Sequence, residues 1–303
     1  MSEHMKERPF IEYGSHLYPS MLSLIPNPPE RLYYSGGTDT LKLPMIAVVG
    51  SRKSTDYGRW AAYTISKRLS EYGVCVVSGM AEGIDTWAHK GALAGRTPTI
   101  AVLGEGLDHC FPKSNNGLMK AIEKNGLLVS EYNDGIHATR YSFPARNRII
   151  SGLSCATVVV EAGFSSGALI TAEHAVEQGR EVYAVPGNIN RINSVGCNKL
   201  ILDGARPLVF IDDILADFNI ETNLVDSYSE LLSVEEKLVS ETVRLYGEIS
   251  VERLAVETSL PIGALTSIIT LLEIKGILST GAGKVFVPKI HNENLLTSRV
   301  KNV

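Results

Sequence analysis

An anion-binding turn follows the first strongly apolar segment of this 303-residue chain. The run Ile46–Val49 is followed by Gly50, Ser51, Arg52 and Lys53, and the next hydroxyl residues can cap a helix. In an open parallel sheet, ligands bind where strands end, because free backbone N–H groups and the helix dipole favour anions there. A hydroxyl and two cations at this point predict a phosphate ligand, which belongs to a nucleotide or a nucleic acid.

A second cluster combines an aromatic ring with positive charge. Phe143, Arg146, Asn147 and Arg148 lie at the start of a predicted helix, and residues 139–148 contain no acidic residue. Single-stranded nucleic acid binds to cations through its phosphates and to flat rings through its unpaired bases. Two alternatives stay open, namely that the ring is an ordinary core residue and that the arginines form ion pairs with nearby carboxylates. The net charge of −4 argues against a surface coated for duplex DNA, so the positive charge is local.

Four glycine-containing turns follow predicted strands and are expected at one edge of the sheet. They lie at 50–52, 78–85, 104–106 and 163–167. None matches the dinucleotide fingerprint or a Walker loop, so we expect no nicotinamide cofactor and no ATP hydrolysis.

Two other patterns resemble catalytic or metal sites. The sequence around Ser165 spells G-x-S-x-G, but His174 follows on the next helix and His291 lies beyond the second domain, so a serine hydrolase is not expected. Asp85 and His89 have the spacing of metal ligands, but a helix-start charge and a solvated helix face explain them more simply. We predict no metal site.

The remaining composition indicates a cytoplasmic globular protein. The four cysteines are scattered and are interpreted as reduced thiols. The N-terminus lacks the apolar stretch of a signal peptide, and no apolar run is long enough to span a bilayer.

Apolar runs alternate with amphipathic segments from residue 44 to residue 220, which predicts an α/β fold with a doubly wound, mostly parallel sheet. Strands are predicted at 45–49, 74–78, 98–103, 127–130, 155–160, 181–185 and 207–210. Helices are predicted at 55–72, 83–94, 114–125, 143–152, 167–178, 196–203 and 212–218.

Other segments flank this domain. Residues 1–43 are predicted to be an extension that packs on the core and includes one or two short helices. Residues 221–228 are predicted to be a linker, and residues 289–303 a tail. Three helices and a hairpin at 229–288 predict a small winged-helix domain, whose acidic composition favours a protein-contact or regulatory role.

These motifs resemble the DprA (Smf) family of DNA-processing proteins. The resemblance runs in order through the whole of residues 44–219, and its most specific segments are Gly50–Arg52, 78–89, 101–108, 143–152, 160–171 and 185–198. It implies a Rossmann-like domain and a homodimer that binds single-stranded DNA, protects incoming strands in natural transformation and loads the RecA recombinase. It implies no enzymatic activity.

The resemblance also implies roles for particular residues. Arg52 would hold a phosphate, Phe143 would lie near a base, and Arg146 and Arg148 would line the same groove. The predicted DNA-binding residues are Gly50, Ser51, Arg52, Lys53, Gly79, Phe143, Arg146, Asn147, Arg148, Ser166 and Gly167.

Some residues favour an alternative function. Glu82 and Glu105 depart from the family pattern and would place negative charge in turns that face the site. Glu161 and Glu173 are candidate catalytic acids, so a nucleotide-processing enzyme or nucleotide sensor on the same fold is the alternative hypothesis.

Overall fold

The computed structural model describes residues 8–220, 232–274, 277–281 and 283–286. The chain divides into two compact units, Met1–Thr222 and Asn223–Val303. The predicted linker at 221–228 and the predicted tail at 289–303 lie outside the described residues.

Within the described residues of the first unit, nine strands form one sheet. The strands are β1 (Phe10–Glu12), β2 (Arg31–Gly36), β3 (Met45–Val49), β4 (Cys75–Ser78), β5 (Thr99–Leu103), β6 (Leu127–Ser130), β7 (Ala156–Val159), β8 (Glu181–Ala184) and β9 (Arg206–Pro207). Their order is β1-β2-β6-β5-β4-β3-β7-β8-β9. In this spatial order, every pair of neighbouring strands between β6 and the edge strand β9 is parallel. Strand β2 is antiparallel to both β1 and β6. The predicted Rossmann-like, mostly parallel sheet is therefore confirmed.

Helices cover both faces of this sheet. They are α1 (Ser20–Ser23), α2 (Asp56–Glu71), α3 (Ile84–Leu93), α4 (Asn116–Asn125), α5 (Ser142–Leu153), α6 (Gly167–Glu177), α7 (Val195–Leu202) and α8 (Ile211–Asp217). Ile46 and Val48 of β3 pack in the core cluster of α2, α3 and α8, whereas Ala47 and Val49 pack in the cluster of α1, α5 and α6. The strand is apolar at every position because it is buried on both faces.

The N-terminal segment is part of the sheet and not only a cover for it. The sequence predicted an extended lead-in with short helices, but β1 and β2 form one edge of the sheet. Leu32 of β2 is fully buried, and Leu22 and Ile25 lie so close to Gly152 of α5 that a β-carbon there would meet them at 2.9 Å. Burial along β2 does not alternate from residue to residue, because Leu32 and Tyr33 are both buried, so no period-2 pattern marked this strand in the sequence.

The second unit has the topology of a winged helix. Its elements are α9 (Val234–Tyr246), β10 (Glu248–Ser250), α10 (Val251–Thr258), α11 (Ile262–Ile274), β11 (Ser279–Gly281) and β12 (Lys284–Phe286). Ser233 and Glu236 form a capping box at the start of α9. The described strands pair antiparallel in the order β10-β12-β11 around a separate apolar core. Strand β10 joins the predicted hairpin and was not anticipated.

Within the described ranges, no single helix is long and apolar enough to cross a membrane; α10 and α11 pass that test only as a pair, which is bent by 107°.

Because β2 completes the core, we expect Leu32→Ala to lower the free energy of unfolding by about 2–5 kcal/mol, the usual cost of a buried leucine side chain. Urea unfolding of the full chain measures this. Val209→Ala, at a position 65% exposed, is the control and should change the free energy of unfolding by less than about 0.5 kcal/mol. Equal effects of the two substitutions would contradict the placement of β2 in the core.

Candidate nucleic-acid interface

The candidate site lies where the strand order of the sheet reverses. The chain leaves β3 towards β4 and leaves β7 towards β8, on opposite sides, so the loops that follow β3 and β7 separate and open a crevice. A cavity of about 670 Å³ occupies this crevice at the carboxyl ends of the strands. Most of the predicted site residues line it, namely Gly50, Ser51, Arg52, Lys53, Phe143, Arg146, Asn147, Ser166 and Gly167.

The loop after β3 is held in place by Glu161, which follows β7. The Glu161 carboxylate accepts hydrogen bonds from the backbone N–H of Thr55, at 2.9 Å, and from the Thr55 hydroxyl. The Glu161 carbonyl accepts from the N–H of Ser51 at 2.7 Å. Gly50 is required here because a β-carbon would lie 2.6 Å from Cγ1 of Ile84. This buried carboxylate therefore positions the phosphate-binding turn, and each of its oxygens accepts one hydrogen bond from Thr55.

Arg52 is one of two exposed cations that line the cavity. Its guanidinium carbon lies 5.3 Å from the centre of the Phe143 ring, a cation–π contact. Lys53 is also exposed, and its carbonyl accepts a hydrogen bond from Asn193 Nδ2 at 2.8 Å. Among the described residues, no carboxylate forms an ion pair with Arg52 or Lys53. Both charges are therefore available for an anionic ligand.

Phe111 is a further aromatic residue at this edge, and the sequence analysis missed it. Its ring centre lies 5.5 Å from that of Phe143, with 40° between the planes, and 53% of the residue is exposed. The sequence held one signal for it, because Phe111 belongs to the loop that begins with the glycine turn at 104–106. The two rings and the Arg52 guanidinium form a row of flat groups.

Arg146 lines the floor of the cavity but is itself buried. Its guanidinium donates to the carbonyl of Gly79, at 2.6 Å, and to that of Val102, so it ties together the ends of β4 and β5. Only 4% of the residue is exposed, and burial lowers the pKa of its side chain to about 10. Gly79 does not line the cavity, and a β-carbon there would lie 2.7 Å from the Arg146 guanidinium. Arg146 and Gly79 therefore shape the site from below.

Arg148 is not brought to the cavity. Its guanidinium forms an ion pair with Glu131, away from the lining residues, so it does not share a groove with Arg146. The reason is the helical spacing, which points side chains two residues apart in different directions.

The structure also places Glu82 and Glu105 outside the lining. Glu82 is exposed and accepts from the Ser114 hydroxyl at 3.3 Å, while Glu105 is buried and accepts from the N–H of Ala138 at 3.3 Å. Neither glutamate therefore lines the cavity, and the carboxylate among its lining residues is that of the buried Asp85.

The prediction of a solvated face at Asp85 and His89 is wrong. Both are buried, because α3 packs against both α2 and the sheet. Asp85 accepts from the N–H of Gly79 at 3.1 Å; burial raises the pKa of its carboxyl, and the charge of Arg146 opposes this. His89 Nδ1 lies 2.9 Å from the hydroxyl of Thr99. Burial lowers the pKa of His89 to about 3.

The candidate catalytic groups are dispersed. Ser165 lines the cavity, but His174 lies beside Glu177, with 3.2 Å between Nδ1 and the carboxylate. Glu173 is exposed and does not line the cavity.

With this geometry in view, comparison with known proteins identifies the family. The sequence profile of DNA recombination-mediator protein A matches residues 9–219. The chain belongs to this family. The resemblance found in the sequence is thereby confirmed. Membership of this family assigns the chain to DNA processing in recombination.

Named relatives agree with this assignment. The DNA processing protein DprA of Streptococcus pneumoniae is 43% identical over 218 residues, covering 72% of this chain and 77% of that protein. Protein Smf of Synechocystis is 42% identical over 222 residues, covering 71% of this chain but 56% of that protein.

Solved structures share the fold. The X-ray structure of DprA from Streptococcus pneumoniae superposes with a TM-score of 0.67 at 43% identity, covering 69% of this chain and 74% of that one. DNA processing protein A from Helicobacter pylori, whose structure is described for its single-stranded DNA binding mode, superposes with a TM-score of 0.64 at 29% identity. That match covers 72% of this chain and 98% of the other.

The buried imidazole of His89 makes a testable contribution to acid sensitivity. Its folded-state pKa is depressed to about 3, so the neutral ring contributes stability above the unfolded value of 6.5, and this stability is lost as pH falls towards 3. We expect His89→Leu to flatten the fall in unfolding free energy between pH 6.5 and about 4.5 by up to about 1.4 kcal/mol per pH unit.

Urea unfolding at several pH values gives this slope. Asp85 titrates in both proteins, so its opposite contribution cancels in the comparison. Identical slopes for His89→Leu and the wild type would show that His89 does not titrate on unfolding.

Proposed function

We propose that this chain binds single-stranded DNA in the crevice between the loops after β3 and β7, with little sequence preference. The observation that carries the proposal is the exposed Arg52 guanidinium beside the Phe143 ring, with no carboxylate of the described residues in an ion pair with it. A cation next to a flat ring fits a phosphate followed by an unpaired base. A duplex hides its base faces, so this arrangement favours a single strand.

The other lining groups fit the same ligand. Lys53 adds a second charge beside Arg52, and helix α6 begins at Gly167 with its N-terminus towards the cavity. Free N–H groups at a helix start favour a phosphate. Phe111 extends the row of rings, so two consecutive bases can stack. Stacking does not distinguish bases strongly, which supports sequence-tolerant binding.

The comparisons support a role in recombination for this binding. The Helicobacter pylori relative is described as binding single-stranded DNA, and the family is described as a recombination mediator. We propose that the chain protects incoming strands, promotes RecA loading onto them and acts as a homodimer without catalysing a reaction.

Charge reversal at Arg52 tests the proposal. We expect Arg52→Glu to weaken binding of a labelled single-stranded oligonucleotide by at least about tenfold and to reduce the slope of log K against log salt by about 0.7 or more. Fluorescence anisotropy over a salt series measures both. Phe143→Ala should weaken binding by about 1–3 kcal/mol, the usual worth of one stacked base.

Arg96→Glu is a matched control, because Arg96 is exposed and precedes β5, at the opposite edge of the sheet. It makes the same charge change and should leave affinity nearly unchanged. Equal losses of affinity in Arg52→Glu and Arg96→Glu would show that binding depends only on total charge and not on the crevice. If the wild-type chain does not bind the oligonucleotide at low salt, the proposal is refuted.

A further inference from the structure

A second cavity adjoins the first on the far side of the β3 loop. It measures about 580 Å³, and Asn193 lines both cavities. The start of α2, including Tyr57, forms one wall, and the loop 186–194 after β8 forms another. None of the predicted DNA-binding residues lines it. The second cavity therefore shares the Asn193 wall with the proposed DNA site, but it holds none of the DNA contacts proposed above.

The loop 186–194 is fixed in position. The side chain of Asn198 donates to the carbonyl of Gly187 at 2.9 Å and accepts from its N–H at 3.2 Å. Further along the loop, the side chain of Asn193 donates to the carbonyl of Lys53. Loops that a scaffold holds at several points commonly carry binding residues. This anchoring presents the loop's side chains in a defined place beside the first cavity.

The second cavity repeats the combination that characterises the first. Arg191 is exposed, and no ion pair joins it to any carboxylate in the described part of the chain. The Tyr57 ring lies 6.0 Å from that of Trp60, with 34° between the planes. Tyr57 is 52% exposed and Trp60 is 41% exposed. A free cation and an exposed pair of rings thus occur a second time along the same edge.

Two carboxylates define what such a cavity can hold. Glu161 is buried and hydrogen-bonded to Thr55, whereas Asp56 lies fully exposed at the rim, 3.5 Å from the guanidinium of Arg59. Carboxylates repel phosphate but accept hydrogen bonds from the amino groups of bases. Within the cavity these carboxylates favour a nucleobase over a phosphate, and Arg191 is the lining cation that can hold a phosphate of the strand.

We propose that the second cavity is a further nucleobase subsite for the same single strand. A strand that leaves Arg52 passes Asn193, places its next phosphate on Arg191 and stacks a base on the Tyr57–Trp60 pair. This inference rests on the proposed function and adds the direction in which the strand runs. It also makes the bound length greater than the first cavity alone would give.

The tryptophan content of the chain allows a direct test. The sequence contains two tryptophans, so Trp87→Phe leaves Trp60 as the sole indole reporter. In that background we compare single-stranded oligonucleotides of roughly 4 and roughly 16 nucleotides, the limits of common site sizes. The longer strand should quench Trp60 emission. Arg191→Glu should weaken its binding about tenfold, abolish the quenching and leave the affinity for the shorter strand unchanged.

Arg96→Glu is again the matched charge control and should change neither affinity nor quenching. Unchanged affinity and quenching in Arg191→Glu, with binding lost in Arg52→Glu, would overturn the second subsite and leave the proposed function standing. Failure of the wild-type chain to bind either strand would overturn both.

Discussion

The two sides of the crevice are joined by one buried carboxylate. Glu161 follows β7, yet both of its side-chain oxygens bind Thr55 in the loop after β3, and its carbonyl binds Ser51. Because β3 and β7 are the strands between which the chain reverses direction, their loops would otherwise diverge without contact. This interaction fixes the turn that presents Arg52, and it forms part of the wall of the adjoining cavity.

The cations of the site divide into structural and exposed groups. The buried guanidinium of Arg146 donates hydrogen bonds to the carbonyls of Gly79 and Val102. Water is excluded there, so a charged group without hydrogen-bond partners would be costly. Arg52 and Arg191 remain exposed and form no ion pair with a carboxylate of the described residues. Buried cations shape the edge of the sheet, and only exposed ones are available to a ligand. The net charge of the chain gives no indication of this division.

The exposed rings follow the same edge. The Phe143 ring contacts both Arg52 and Phe111. Tyr57 and Arg191 line the second cavity together, and Trp60 lies beside Tyr57. Two successive groups that each combine a cation with a pair of rings suit an extended single strand, which offers a phosphate and bases to each group. A compact nucleotide would need only one such unit, so the length of the row favours a polymer as the ligand.

The sequence by itself determined the parallel core, the turn at 50–53, the cluster around Phe143 and the family, because apolar period and motif order are local properties. Only the tertiary structure decided which charged residues face the ligand. Arg146 and Arg148 are two residues apart, yet one lies under the cavity and the other pairs with Glu131. His89 is buried because its helix packs on the sheet, where the ring meets Thr99 of β5, and Phe111 lies beside Phe143 because its loop meets the start of α5. These contacts join residues far apart in the chain, so no local pattern specifies them.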